Sequence, residues 1–298
     1  MIPYLSPSSF IKFYKTCEYR VYLEKVRKVL STEEYRDQGM AQATGTAFDI
    51  MVKGALNRRV KVQEELGKEI LAKNEAAIQL AKEIFEAYSR GPMEALKKEG
   101  LGYGGVDQEI EISFEEKKSI LYGKPDLTLK TGEVLDWKCQ GMWGRGTKPR
   151  RGYIRCFVFS QSHPMNGKDI GPSPEGEDDV PMEQVNEDWA IQLYLYNRLL
   201  GHVAGDKLRA GIENICVEYS PSPTIWCASF RNPISTSFQL KIEREFHSAF
   251  ERLNEATPED SKRIESAQPA SYRCVTYNKL CACAPYCEAY QREMGKKK

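Results

Sequence analysis

No apolar run in the 298 residues is long enough to span a bilayer. The first residues, Met1-Ile-Pro-Tyr-Leu-Ser6, lack the charged start and long apolar core of a secretory signal. These absences predict a cytoplasmic or nucleoid-associated protein with no membrane partner. Histidine is scarce. His163, His202 and His247 are scattered and none stands in a nucleophile pattern, so none is assigned a role. No glycine-rich phosphate loop occurs. Net charge is nearly absent at +1, so no global field announces a nucleic-acid partner. A phosphate-directed site would need only a local basic patch.

What is present is a soluble globular composition, 41% hydrophobic and 29% charged, in a chain long enough to bury a full core. Residues 6–30 predict a helix capped by Ser6 or Ser8, with Phe10, Phe13, Tyr14, Cys17, Val21 and Leu23 on one face. Residues 40–57 predict a second helix. Residues 60–99 predict one long or two shorter amphipathic helices, with a break near Lys73-Asn74. Glu109 to Phe114 alternates as a half-buried strand, with Glu109 and Glu111 on one face and Ile110, Ile112 and Phe114 on the other. Trp189 to Leu200 predicts a helix with Asn186 or Asp188 at its start and Gly201 at its end. Strands at 212–219 and 224–230 and a helix at 238–253 follow.

One stretch carries chemistry. Tyr122-Gly-Lys-Pro-Asp126 and Val134-Leu-Asp136-Trp-Lys138 predict two short strands joined by a turn near Lys130-Thr-Gly-Glu133. The first brings Asp126. The second places Asp136 and Lys138 on one face and Trp137 on the other, because side chains alternate along a strand. Two carboxylates can hold a hard divalent cation, and an ammonium can orient water or steady charge on phosphate. That combination suits metal-dependent phosphodiester cleavage. Gln192 and Tyr196, four apart on the predicted helix, share a face. The Gln192 amide can hold either a nucleotide phosphate or the site's lysine, and the Tyr196 hydroxyl can do likewise. After Lys138 come Arg145, Lys148, Arg150, Arg151 and Arg155, interleaved with Trp143 and Tyr153. This is either a phosphate-contacting and base-stacking patch or a solvated loop.

The order of these pieces resembles the PD-(D/E)XK nuclease superfamily, in particular its RecB-type branch with the AddB nuclease domains and the CRISPR-adaptation nucleases. The resemblance runs from Leu5 to about Tyr290. It is carried by Leu5-Ser-Pro-Ser-Ser9 followed by Cys17, by Gly45-Thr-Ala-Phe-Asp49, by Gly123 to Asp126, by Asp136 to Lys138, and by Gln192-Leu-Tyr-Leu-Tyr196, with a cysteine cluster at the end. Asp49 stands where the family usually has histidine. The resemblance implies an α/β restriction-endonuclease-like core, a mixed central sheet flanked by helices, plus a small cysteine-bound lobe. It implies Asp126, Asp136, Asp49 and the Trp137 carbonyl around magnesium or manganese. Lys138 would act on water, with Gln192 and Tyr196 on the substrate backbone. The implied activity is a metal-dependent DNA nuclease, an exonuclease acting on single strands or duplex ends, in recombination, repair or phage DNA metabolism. A helicase or recombination partner would supply unwinding, and a phage-encoded version would work in the host cytoplasm. Two other readings stay open. One is a catalytically impaired DNA-binding or assembly protein on the same fold; the other is an RNA-directed nuclease.

Nine cysteines are many for a reducing compartment. Cys139, Cys156, Cys216 and Cys227 lie in apolar surroundings and predict core residues. The resemblance implies that Cys17, Cys274, Cys281 and Cys287 hold a 4Fe-4S cluster, with zinc as the alternative and Cys283 as a spare thiol. The expected layout is a single nuclease domain over 1–298. It has a helical part at 1–100, a core at 101–255 with an insertion at 139–186, and a cysteine lobe at 256–298 packing on the N-terminal helix.

Overall fold

The computed structural model describes residues 2–28, 39–56, 61–67, 74–100, 110–114, 119–140, 148–160, 163–173, 180–218, 223–255, 275–276, 279–281, 283 and 286–287. Cys274, Glu109, Trp143, Arg145 and the acidic piece at 175–179 lie outside the described residues. No helix among the described residues is long and apolar enough to cross a membrane. The chain divides into two compact units: residues 38–109 with 124–236, and residues 1–37 with 110–123 and 237–298.

The larger unit is built on a six-stranded mixed sheet. Its helices are α1 (Met40–Leu56), α2 (Val62–Leu66), α3 (Glu75–Ser89), α4 (Pro92–Glu99), α5 (Met182–Val185) and α6 (Glu187–Leu199). Its strands are β1 (Leu127–Thr128), β2 (Val134–Gln140), β3 (Tyr153–Phe159), β4 (Lys168–Asp169), β5 (Leu208–Glu218) and β6 (Thr224–Ile234), in the spatial order β1-β2-β5-β6-β3-β4. β2 pairs in parallel with β5, Asp136 opposite Ile212 and Lys138 opposite Asn214. Every other pairing in the sheet is antiparallel. The predicted turn at 130–133 is present between β1 and β2, with Gly132 at φ +88°, a left-handed conformation that glycine adopts without strain.

Sequence chemistry explains the helix ends. Asn186 caps α6, its Oδ1 accepting from the Trp189 N–H at 3.1 Å. Gly201, just past its end, lies at φ +91°. Among the described residues of 60–99 there are three helices, the second starting after Asn74, where the sequence predicts a break. Within the insertion at 139–186, Tyr153 to Gln161 reads as a possible further strand, and Tyr153–Phe159 forms one. This is β3, which pairs with β6, and residues 166–173 run beside β3 as its edge: Gly167 donates to Val158, Ile170 to Cys156 and Ser173 to Tyr153.

The two faces of the sheet differ. Leu135, Trp137, Ile215 and Val217 pack with Ala47, Phe48 and Val52 of α1 and Ala81, Ile84 and Tyr88 of α3. The opposite face of β2, carrying Asp136 and Lys138, meets α6. Gly211 on β5 is required by close approach, since a Cβ there would stand 2.2 Å from Leu135 Cδ2. Beneath the sheet lies a buried ionic network. Arg231 Nη2 donates to Glu213 at 2.6 Å and to Glu99 at 3.0 Å. Ser229 donates to Glu213 at 3.0 Å. The Trp137 indole N–H donates to the Tyr88 hydroxyl at 3.0 Å, which stands 3.5 Å from Glu213. Arg155, expected in the basic patch, turns inward to Glu99 and Ser229 instead.

The smaller unit holds the helix Thr236–Asn254, the antiparallel ribbon Ile110–Phe114 with Ser119–Gly123, and the N-terminal helices. The predicted single helix over 6–30 is interrupted. Pro7–Ile11 runs into a π-helical turn, Lys12–Thr16, and Cys17 takes an extended φ of −157° before Glu18–Lys25. The Cys17 N–H bonds back to Lys12 O at 3.0 Å, and its sulfur caps the next helix by accepting from Arg20 N. Arg252 pairs with Glu18, and the buried His247 ring shares a 3.0 Å hydrogen bond with Ser119.

Removing one partner of a buried ion pair leaves the other charge uncompensated. Arg231→Met is therefore expected to lower unfolding stability by about 3–5 kcal/mol in a urea titration. A loss below about 1 kcal/mol would mean that water already screens Glu213 and Glu99.

Candidate functional site

Three segments of the larger unit bring their polar side chains together. Asp126 is not on a strand, as the sequence predicts, but on the link before β1. Pro125 precedes it and has no N–H for a ladder. Its Oδ2 accepts from the Trp137 backbone N–H at 3.2 Å. The N–H and C=O of one strand residue point to the same edge, so the Trp137 carbonyl also faces the Asp126 side. Asp136 and Lys138 share the opposite-facing register from Trp137, as alternation demands, and Lys138 Nζ lies 2.6 Å from Asp136 Oδ2.

Gln192 ties this strand to α6. Lys138 Nζ donates to Gln192 Oε1 at 2.8 Å, while Gln192 Nε2 donates to Asp136 Oδ1 and lies 3.0 Å from the Tyr196 hydroxyl. The amide has only one workable orientation here. An ammonium is donor only, so the carbonyl must face it, and the NH₂ must face the carboxylate. Of the two roles open to Gln192 in the sequence, the structure shows the one that holds the lysine.

The third segment is α1. The helix lies against β2, its Gly45 facing Cys139 at a distance where an added Cβ would make only ordinary van der Waals contact. One turn later comes Asp49, and one turn after that Lys53. Lys53 Nζ lies 2.8 Å from Asp49 Oδ2 and 2.9 Å from Asp126 Oδ1, and the residue is only 7% exposed. Lys53 is the residue that sequence reasoning missed. The available signal was the four-residue spacing of Asp49 and Lys53 beside the apolar Met51 and Val52.

The electrostatics follow. Burial pushes the Asp136 carboxyl up to about 7, reinforced by Asp126 and opposed by Lys138. Burial alone would lower Lys53, but Asp126 and Asp49 outweigh it and raise the ammonium above its ordinary range. Burial and the Asp136 charge also raise Tyr196. Among the described residues, three carboxylates face two ammonium groups, an excess of one negative charge when all are ionised. The ligand atoms the site offers are oxygens, the preference of magnesium and manganese. Among the described residues, no group of three or more His, Cys, Asp or Glu is arranged as a metal site.

In the smaller unit Cys281 and Cys283 are adjacent to each other, and the Cys281 thiol is within electrostatic reach of Cys17 and Arg20. The hydrogen bond from Cys283 lowers Cys281 to about 6, against the effect of burial, with Arg20 adding to the lowering. Cys283 is 2% exposed and Cys287 is half-buried. Cys156, Cys216 and Cys227 are buried as predicted, and Cys139 is partly so. Of the basic patch, Lys148 sits 4.7 Å over the Trp226 ring and Arg151 donates to the Gln184 carbonyl.

No family model and no curated protein matches the chain. A solved structure from Eubacterium rectale, described as that of a "putative exonuclease", does. It is 14% identical, with a TM-score of 0.50, over 88% of this chain and 82% of that one. At that identity the likeness is one of fold. The fold is α/β, with a mixed six-stranded sheet flanked by helices, consistent with the restriction-endonuclease-like nucleases.

An acid whose folded-state value is raised favours the neutral form, so stability is fully present at low pH and is lost as pH rises from near 3.8 through about 7. The cation-free protein should therefore lose about 2–4 kcal/mol between pH ~5 and ~8. Asp136→Asn, which cannot ionise, should show a correspondingly flatter profile. Thermal melting of both proteins in chelator checks this; parallel profiles would contradict it.

Proposed function

We propose that the chain is a metal-dependent nuclease that hydrolyses DNA phosphodiester bonds, acting exonucleolytically on single strands or duplex ends. The observation that carries this is the pairing of Asp126 with a buried Asp136 whose own strand supplies Lys138 at 2.6 Å. Burying a second carboxylate beside a first is costly, and a cation relieves that cost. Asp126, Asp136 and the Trp137 carbonyl would hold magnesium or manganese. When bound, the ion supplies Lewis acidity toward a phosphate oxygen and a more acidic water.

The protein's own groups do the rest. Lys138 steadies the attacking water and the charge that grows on the phosphate. The water oxygen bonds to phosphorus, the bond to the sugar oxygen breaks, and that oxygen takes up a proton. Gln192 holds Lys138 and Asp136 in register, and Tyr196 offers its hydroxyl to the substrate backbone. Cys17, Cys281, Cys287 and Cys274 would hold a 4Fe-4S cluster, or zinc, as a structural staple. The proposed setting is recombination, repair or phage DNA metabolism in the cytoplasm, with a partner supplying unwinding.

One observation favours a second reading. The Lys53 ammonium fills the gap between Asp49 and Asp126, as in a site that has given up catalysis for DNA binding or assembly. Cleavage of end-labelled single- and double-stranded DNA with magnesium or manganese separates the two, using anaerobically purified protein. Wild type should cut, Asp136→Ala should not, and Lys138→Ala should be slower by about 10²–10³-fold. Matched RNA in parallel distinguishes an RNA-directed enzyme. Well-folded wild type that binds but cuts neither substrate would establish the binding reading.

A further inference from the structure

Lys53 does not belong to any motif that the sequence presents, yet it is the most buried charged side chain that α1 offers to the site. Among the described residues its ammonium contacts two carboxylates, Asp49 and Asp126, from the position between them. That is the place of a bridging cation. We propose that Lys53 is a resident cation of the site, filling the position between Asp49 and Asp126 that a second divalent ion would take, so that a single divalent ion binds on the Asp126–Asp136 side. The inference rests on the metal-dependent reading above and deepens it.

Charge and geometry support it together. Among the described residues, Asp49, Asp126 and Asp136 stand against Lys53 and Lys138, an excess of acid that one divalent ion more than satisfies. A second divalent ion at Asp49 would lie within a few ångström of a buried ammonium and meet direct repulsion. The ammonium cannot easily leave, since its stem is enclosed and Asp49 and Asp126 both hold it. The identity of residue 49 fits the same account. A carboxylate one turn before Lys53 is a counter-anion, which a neutral imidazole could not be. Asp49 is thus a partner of Lys53 and acts on the ion only through it. Lys53 is a positioning residue: it fixes the orientation of Asp126 by holding Oδ1 while the Trp137 N–H holds Oδ2.

The test is the stoichiometry of manganese binding, read from the electron paramagnetic resonance signal of free Mn²⁺ during titration of the full chain. Wild type should bind one ion, lost in Asp136→Asn. Lys53→Met, isosteric and uncharged, should bind two, and adding Asp49→Asn should return it to one. Lys53→Met that still binds one, or wild type that binds two, would overturn the inference while leaving the nuclease reading intact. Should Lys53→Met fail to fold, Asp49→Ala decides. It should keep the single ion of wild type, whereas loss of the ion would make Asp49 a ligand and overturn the inference. Wild type that binds no manganese would overturn both readings.

Discussion

A carboxylate that is 3% exposed on an inner strand has to be compensated, and the compensation of Asp136 organises the larger unit. A carboxylate in that position gains no help from bulk water. Lys138 comes from the same strand two residues on, and Gln192 from the helix laid across it. Each compensating group requires the element that carries it to dock in one orientation. The polar face of β2 therefore fixes α6 laterally, in the way that Trp137 and Tyr88 fix α3 on the other face. Apolar packing alone would tolerate small slides between layers, whereas hydrogen bonds of 2.6 to 3.2 Å do not.

A second chain of polar contacts runs from the Trp137 face of the strand. Trp137 reaches Tyr88, Tyr88 stands beside Glu213, and Glu213 shares Arg231 with Glu99. The chain of contacts ends on the last residue of α4. Buried networks of this kind contribute less to net stability than apolar residues of equal volume, but they admit few alternative arrangements. Here that exclusivity falls on the strand carrying the acids, where a displacement of an ångström would alter the distance between charges.

Much of this was legible in the sequence, for reasons that differ from residue to residue. Alternation placed Asp136 and Lys138 opposite Trp137, because a strand leaves no other choice. The four-residue spacing put Gln192 beside Tyr196, and Asn186 marked the start of their helix. Other features depend on tertiary context. Lys53 looks like any surface lysine until Asp126, 73 residues away, is brought to it. Arg155 looks like part of a basic patch until Glu99 turns it inward. The break at Cys17 carries neither proline nor glycine, and the backbone departs from α-helix through a hydrogen bond back to Lys12. In each case the deciding partner is distant in sequence or is a backbone atom, and residue type alone does not report either.

The parallel pairing of β2 with β5 has a consequence for when the site comes into existence. Parallel neighbours cannot be joined by a tight turn, and here the whole of β3, β4, α5 and α6 lies between them. During synthesis from the N-terminus, the segment carrying Asp126, Asp136 and Lys138 is made long before the strand that will align it. Long-range pairing of this kind closes slowly. The acids accordingly spend the early life of the chain solvated and unaligned, and the constellation assembles only once Leu208–Glu218 has been made and inserted beside them.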